Sequence, residues 1–449
     1  MGATTSAGRR ACLSLLCDCS VTCAAFGWRR GTVVLIFSCP RTTMTAAYRF
    51  NPAFQSPQGS PIRELFKYTQ QPGMISFAGG YPAPALFDAD ALARSAAAVL
   101  EQSPAACLQY GATEGTAVLA QALRQLTRER IGGTGEVADL IVTTGSQQGF
   151  ELLLRVMLSP GDCVAIERPC YPAAIQALRL AGADLLEVPG DEAGMDTDAL
   201  EQLLIAGARP RLLYVVPTFA NPTGATLPLA RRRHLLTLAV RYQFLVIEDD
   251  PYGQLRFSGE VQPLLLQLAQ EIPGAADWLV YLSSLSKVVA PGLRIGWMCG
   301  SPEILRRAVI AKQTGDLCTA PWMQMAAARY LTDGCLEAHL PAIIATYRER
   351  CEIMLDALRR AFGESLSLIA PEGGMFIWAS WNDGTDATAL LHEAVRQNVM
   401  YVPGAAFYAQ DADAARLRLS FANAQPGEII EGVARLKAAH LAWQRAKEA

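Results

Sequence analysis

The stretch SSLSKVVAPGLRIGW, residues 283–297, decides how this chain is read. Lys287 stands between a pair of serines, Ser284 and Ser286, and an arginine seven places on, Arg294, in a run that is otherwise apolar. A lysine in that setting is either a tether at a strand end or a reactive amine. The flanking runs WLVYL (278–282) and IGWMC (295–299) read as strands, so Lys287 falls in the loop that joins them. Further upstream, LIVTT (140–144), CVAIE (163–167), LLYVV (212–216) and FLVIE (244–248) are short, apolar and spaced as strands. Amphipathic segments such as 148–158 and 230–243 lie between them and read as helices. Near-continuous apolar strands alternating with helices imply a mostly parallel sheet covered on both faces. Beyond about residue 330 longer helices dominate, with strands at 375–380 and 416–422, and residues 60–90 are expected to join that second, smaller α+β domain.

Composition sets outer bounds. The chain has 449 residues, 51% hydrophobic and 18% charged, enough for a large buried core. A formal net charge of −3 leaves no electrostatic footprint for nucleic acid or an anionic membrane surface. No apolar run approaches the roughly 18 to 20 residues that span a bilayer. Residues 1–43 stand apart: they hold five of the twelve cysteines, five arginines, no lysine and the single acid Asp18. They read as a disordered extension outside the fold, with a transit-like peptide as the alternative. The pair Cys17 and Cys19 lacks a second Cys/His pair at ligand spacing, so no metal is expected. The seven other cysteines lie singly in apolar context and read as reduced residues of a cytoplasmic protein. There is no P-loop and no G-x-S-x-G elbow, the four histidines are far apart, and Arg231, Arg232 and Arg233 read as a solvated helix face.

In an open α/β sheet the ligand sits outside the carboxyl ends of the strands. After LIVTT comes GSQQG, where a Gly-Ser turn followed at once by a helix leaves the backbone N–H groups of Ser146 and Gln147 for an anion. The plainer reading is a serine N-cap, worth about 1 kcal/mol. After CVAIE, Tyr171 lies on a proline-bounded loop, either as a plate for a planar ring or as a packing anchor. Asn221 opens NPTG after LLYVV, and EDDPY brings Asp249, Asp250 and Tyr252 after FLVIE. Two carboxylates closing an apolar strand are costly without a cation to meet them. An anion cradle, a carboxylate, an aromatic plate and an amine at one edge are what pyridoxal phosphate requires. The amine binds its aldehyde as a Schiff base, and the carboxylate keeps its ring nitrogen protonated.

At this point the chain resembles the fold-type-I pyridoxal-phosphate-dependent aminotransferases of class I/II, in the subgroup of aminoadipate and kynurenine aminotransferases. SLSKVVAPGLRIG, GSQQG, NPTG, EDDPY and RLSF match that subgroup in order over roughly residues 48–445. Asn221 and Asp249 are 28 positions apart there, as in this sequence. The resemblance implies an α/β fold: a large cofactor domain (95–330) on a mostly parallel seven-stranded sheet, and a smaller α+β domain (44–94 and 331–449). It implies that Lys287 holds pyridoxal 5'-phosphate as an aldimine and moves the substrate Cα proton. Asp249 would pair with the ring nitrogen, Asn221 and Tyr252 with the ring oxygen, and Tyr171 would stack on the ring. Ser146, Gln147, Ser284, Ser286 and Arg294 would hold the phosphate. Arg418 in RLSF, with Asn221, would grip the substrate α-carboxylate. Tyr110 would reach the phosphate of a neighbouring subunit, implying a homodimer with shared sites. Arg63, Gly80 and Tyr81 fall on a substrate-gating segment, where Tyr81 replaces an aliphatic residue common in the subgroup.

The expected reaction is therefore ping-pong transfer of an amino group from an L-amino acid to a 2-oxo acid, with 2-oxoglutarate as acceptor. Alternatives are a lyase or decarboxylase on the same fold, or a non-catalytic sensor module of the kind fused to winged helices. The sequence carries no helix-turn-helix pattern for the latter. Arg63 favours a second substrate carboxylate, whereas Tyr81 and Phe376 suggest room for aromatic or branched side chains, so broad donor specificity is expected.

Overall fold

The runs that read as strands pair into one large sheet. The computed structural model describes residues 48–54, 59, 65, 67–68, 71–133, 137 and 139–448, of which those from Phe50 onward belong to one compact unit. The expectations for residues 1–43 and for Arg63 lie outside the described residues. In chain order the strands are β1 (Ile75–Ser76), β2 (Leu140–Thr143), β3 (Cys163–Arg168), β4 (Asp184–Asp191), β5 (Gly194–Met195), β6 (Leu212–Val215) and β7 (Leu245–Asp249). There follow β8 (Leu279–Ser284), β9 (Gly296–Cys299), β10 (Leu366–Ile369), β11 (Phe376–Trp381), β12 (Val399–Met400), β13 (Val402–Pro403) and β14 (Arg416–Ser420).

The large sheet runs β2-β9-β8-β7-β6-β3-β4-β5. Strands β8, β7, β6, β3 and β4 are mutually parallel, and β9 runs antiparallel to both β8 and β2. Every residue of β2, β6, β7, β8 and β9 is buried, which is why those strands are apolar throughout rather than alternating. The sheet has one strand more than the seven expected: β5 is a two-residue return against the end of β4. The six strands read individually from the sequence did not include β4. It contains Pro189 and exposes both ends, and such a half-solvated strand lacks the apolar run that marked its neighbours.

Helices α1 (Ala89–Gln102), α2 (Ala117–Arg130), α3 (Ser146–Met157), α4 (Leu229–Tyr242), α5 (Pro302–Gln313), α6 (Pro321–Thr332), α7 (Cys335–Phe362) and α8 (Pro426–Glu448) complete the frame used here. Helix α3 packs on β8 and β9 and is backed by α5, while α6 packs on α1 and α2. The smaller antiparallel sheet, β10-β11-β14-β13, lies against α7, which packs on α8. Strand β1 pairs in parallel with β12, fixing the segment that leads to Gly80.

One expectation about the helices is corrected. Arg231 and Arg233 do pair with exposed acids, Asp191 and Glu271, but Arg232 is fully buried. Its guanidinium donates to the carbonyls of Leu227, Pro263 and Pro217 and to Thr218 Oγ1. Arg232 thus ties the loops on either side of α4 together through their carbonyls, which keeps its buried guanidinium satisfied. All seven cysteines among the described residues are free thiols, four of them buried. Among the described residues no helix is long and apolar enough to cross a membrane, and no cluster of three or more His, Cys, Asp or Glu could hold a metal.

Candidate active site

Sheet polarity brings the site together. Because β2, β3, β6, β7 and β8 share a direction, Thr143, Arg168, Val215, Asp249 and Ser284 all end at one edge, and the antiparallel β9 begins there with Gly296. A cavity of about 150 Å³ opens at that edge. Its lining includes Ser146, Gln147, Tyr171, Asn221, Asp249, Tyr252, Ser284, Ser286, Lys287 and Arg294. Two larger cavities, of about 430 and 680 Å³, are lined by none of these residues.

The anion cradle is built from backbone more than from side chains. Helix α3 starts at Ser146 with Gly145 as its N-cap, and no side chain caps it, so the serine-cap alternative does not hold. Gly145 adopts φ 80°, and a Cβ there would stand 2.6 Å from Arg294 Nη2. A Cβ on Gly296 would stand 2.5 Å from the Ser146 nitrogen. Gly296 is therefore required by close approach to backbone, and Gly145 by its positive φ. Arg294 is itself left-handed at φ 53°, and its Nη2 donates to the Thr144 carbonyl at 3.1 Å. Ser284 Oγ lies 2.7 Å from Ser286 Oγ and accepts the Ser286 N–H at 3.0 Å, which curls the chain so that Lys287 follows at the cavity wall.

Lys287 Nζ donates to the Gly80 carbonyl at 3.0 Å. Burial, then Arg418 and Arg294, lower its pKa to about 8, with Asp249 acting in the opposite sense. Asp249 accepts from Tyr214 Oη at 2.8 Å on Oδ2, while Oδ1 is buried with no partner. Burial raises the Asp249 carboxyl to about 7, with Tyr214 opposing. A buried unpaired carboxylate oxygen is an expensive feature, and a protonated ring nitrogen is the group that would satisfy it. Asp250, in contrast, is fully engaged with Arg130 at 2.6 Å, Tyr281 and the Gly253 N–H, as a structural residue should be.

Arg418 is fully buried in β14, clamped by Asn221 Oδ1 at 2.7 Å and the Ala78 carbonyl at 2.7 Å, and stacked 4.1 Å from the centre of Phe376. Burial lowers its pKa to about 10, and its Nε has no partner. Asn221 Nδ2 and Tyr252 Oη are 3.5 Å apart, and burial raises the Tyr252 phenol. Tyr171 precedes a helix at the cavity wall. Tyr81 is half exposed beside Gly79, and Gly80 lies under Phe376. Tyr110 stands apart from this group and is 78% exposed. Sequence reasoning missed Tyr214, whose hydroxyl orients Asp249; its only signal was a phenol in an otherwise aliphatic strand, three residues before Pro217. The set fits pyridoxal phosphate: a glycine-walled anion cradle, an unpaired buried carboxylate oxygen and a buried amine surround one cavity.

Comparison with known proteins agrees. The family model described as aminotransferase class I and II matches residues 81–436. The chain is 40% identical over 384 residues to aromatic-amino-acid aminotransferase 1 of Thermococcus litoralis, covering 84% of this chain and 91% of that protein. It is 42% identical over 381 residues to the 2-aminoadipate transaminase of Thermus thermophilus, covering 84% and 93%. The crystal structure of α-aminoadipate aminotransferase from Thermus thermophilus, complexed with N-(5'-phosphopyridoxyl)-L-leucine, superimposes with a TM-score of 0.80 at 38% identity, covering 88% of this chain and 98% of that one. The chain belongs to the class I and II aminotransferases, in the subgroup of aminoadipate and kynurenine aminotransferases, and is a pyridoxal-phosphate-dependent enzyme that transfers amino groups.

Proposed function

We propose that this aminotransferase takes a broad range of L-amino acids as donors and 2-oxoglutarate as acceptor, in two ping-pong half-reactions, as a cytoplasmic homodimer. The observation that carries the reading is the unpaired Nε of Arg418, a buried cation behind Asn221 with a donor to spare. That fork fixes the α-carboxylate and leaves the donor side chain to the Gly80–Tyr81 segment and Phe376, which offer aromatic surface rather than a fixed charge. Two relatives support breadth: one is named for aromatic amino acids, and another, named for aminoadipate, is described with a leucine adduct.

When bound, the cofactor supplies a ring that accepts the electrons of a breaking Cα–H bond. The residues do the rest. The Lys287 amine, held near Gly80 and depressed in pKa, takes and returns the proton at the substrate Cα. Asp249, oriented by Tyr214, holds the ring nitrogen, and Asn221 with Tyr252 meets the ring oxygen. Tyr171 covers a ring face, and Ser146, Gln147, Ser284, Ser286 and Arg294 hold the phosphate. In this reading the large sheet domain carries the cofactor, and the smaller domain contributes Arg418 and the gating segment. The exposed Tyr110 reaches a second subunit, and the free thiols suit a reducing compartment.

A donor panel against 2-oxoglutarate, read by glutamate formation, tests breadth and acceptor together. Several aromatic, branched and acidic donors should give comparable kcat/KM, with parallel double-reciprocal lines. One sharply preferred donor refutes breadth, and intersecting lines refute ping-pong.

A further inference from the structure

Lys312, at the end of α5, is 0% exposed, and nothing assigned so far uses it. Its Nζ donates to Asp316 Oδ1 and Oδ2 at 2.7 and 3.0 Å, to Gln148 Oε1 at 3.1 Å and to Thr319 Oγ1 at 3.2 Å. An ammonium has three donors, so these partners use them all and none remains for a ligand. Asp316 Oδ2 also accepts from Gln148 Nε2 at 2.7 Å and from Thr144 Oγ1 at 2.8 Å. Burial works to raise the Asp316 carboxyl, but the hydrogen bonds from Lys312, Gln148 and Thr144 hold it below its ordinary value.

The network converges on one residue. The Thr144 N–H donates to Gln148 Oε1 at 2.8 Å, and its hydroxyl contacts Asp316 and lies 3.1 Å from Thr319 Oγ1. Its carbonyl accepts from Arg294. Every polar atom of Thr144 is thus held, and Thr144 immediately precedes Gly145 and Ser146, the turn that forms the anion cradle.

We propose that Lys312 is a positioning residue for the phosphate: through Asp316 and Gln148 it fixes Thr144, and thereby aims the Ser146 and Gln147 N–H groups and the Arg294 fork. The inference rests on the reading of that turn as the phosphate grip. The role is geometric rather than Coulombic, because the Asp316 carboxylate cancels the ammonium charge at 2.7 Å.

The test compares pyridoxal phosphate with pyridoxal, which lacks the phosphate, in titrations of the apoenzyme followed by absorbance. Lys312→Met and the milder Thr144→Val, which leaves the Lys312–Asp316 pair in place, should each weaken pyridoxal phosphate roughly ten-fold or more, the value of a hydrogen bond to a charged group, with pyridoxal affinity within about two-fold. Asp316→Asn should weaken it as well. Unchanged affinity for pyridoxal phosphate in both Lys312→Met and Thr144→Val, or equal losses for both ligands, overturns the proposal. Tighter binding by Asp316→Asn overturns it too, since an unmasked ammonium would then be attracting the dianion. Arg294→Met separates the two layers. If it also spares pyridoxal phosphate, the phosphate-grip reading falls and takes this inference with it. If it weakens pyridoxal phosphate selectively while the Lys312 and Thr144 variants do not, only this inference falls.

Discussion

At the scale of single residues, the chemistry follows from what each buried group is left without. Lys287 donates to the Gly80 carbonyl, and burial, then the Arg418 and Arg294 guanidiniums, bring its amine down to a pKa of about 8. In the apoenzyme, labelling of Lys287 by an amine-selective reagent should therefore rise with pH through a midpoint near 8, against about 10.4 for an ordinary lysine. Arg294→Met should move that midpoint up and Asp249→Asn should move it down, because the first removes a repelling cation and the second an attracting anion. Peptide mass spectrometry across a pH series reads this directly, and a wild-type midpoint near 10 would refute it. The residue types and their spacing identified Lys287, Asp249, Asn221 and Arg294 in the sequence. Tyr214 was not legible, because a strand tyrosine is ordinarily a packing residue and only the register of β6 against β7 sets its hydroxyl on Asp249.

At the scale of elements, the anion cradle depends on a turn that has no room for a side chain. Gly145 sits at φ 80° and ψ 161°, a region essentially closed to other residues, and its Cα faces Arg294. Gly145→Ala should lower apoenzyme stability by about 1–3 kcal/mol and also push the Arg294 fork off line. Thermal denaturation reads the first effect, and titration with pyridoxal phosphate reads the second. A variant of wild-type stability and affinity would show that the turn tolerates a Cβ. Burial accounts for two differences from the sequence reading. The long apolar strands announced themselves because both faces are buried, whereas β4 did not, because much of it meets water. The three arginines of α4 looked alike in the sequence, yet the middle one points inward to carbonyls of the loops on either side of the helix.

At the scale of the molecule, the core carries carboxyls that are more comfortable neutral than charged. Glu167 is the cleanest: burial raises it to about 8, opposed only by the hydrogen bond it accepts from the Val216 N–H at 2.9 Å. Its folded pKa lies above its unfolded value, so the native state binds the extra proton between roughly pH 4.3 and 8. That contribution is complete below the unfolded pKa and fades as pH rises through about 8. The apoenzyme melting temperature should fall from pH 6 to pH 9, on the order of the Glu167 titration, and Glu167→Gln should flatten that fall while keeping an acceptor for Val216. Identical slopes in the two proteins would refute the assignment. What the sequence determined by itself is local: which short runs are strands, which residue types follow each one and hence the cofactor, with the reaction family implied by the resemblance those motifs carry. Those features are written in nearest neighbours and spacing. What only the tertiary structure decided is which buried polar groups meet, whether they are about fifteen positions apart or nearly two hundred. Arg418 clamps Asn221 from the other sheet, Lys312 fixes Thr144 from a distant helix, and Arg232 turns inward. Burial decides these meetings, because a polar group removed from water must find its partner wherever the fold delivers one.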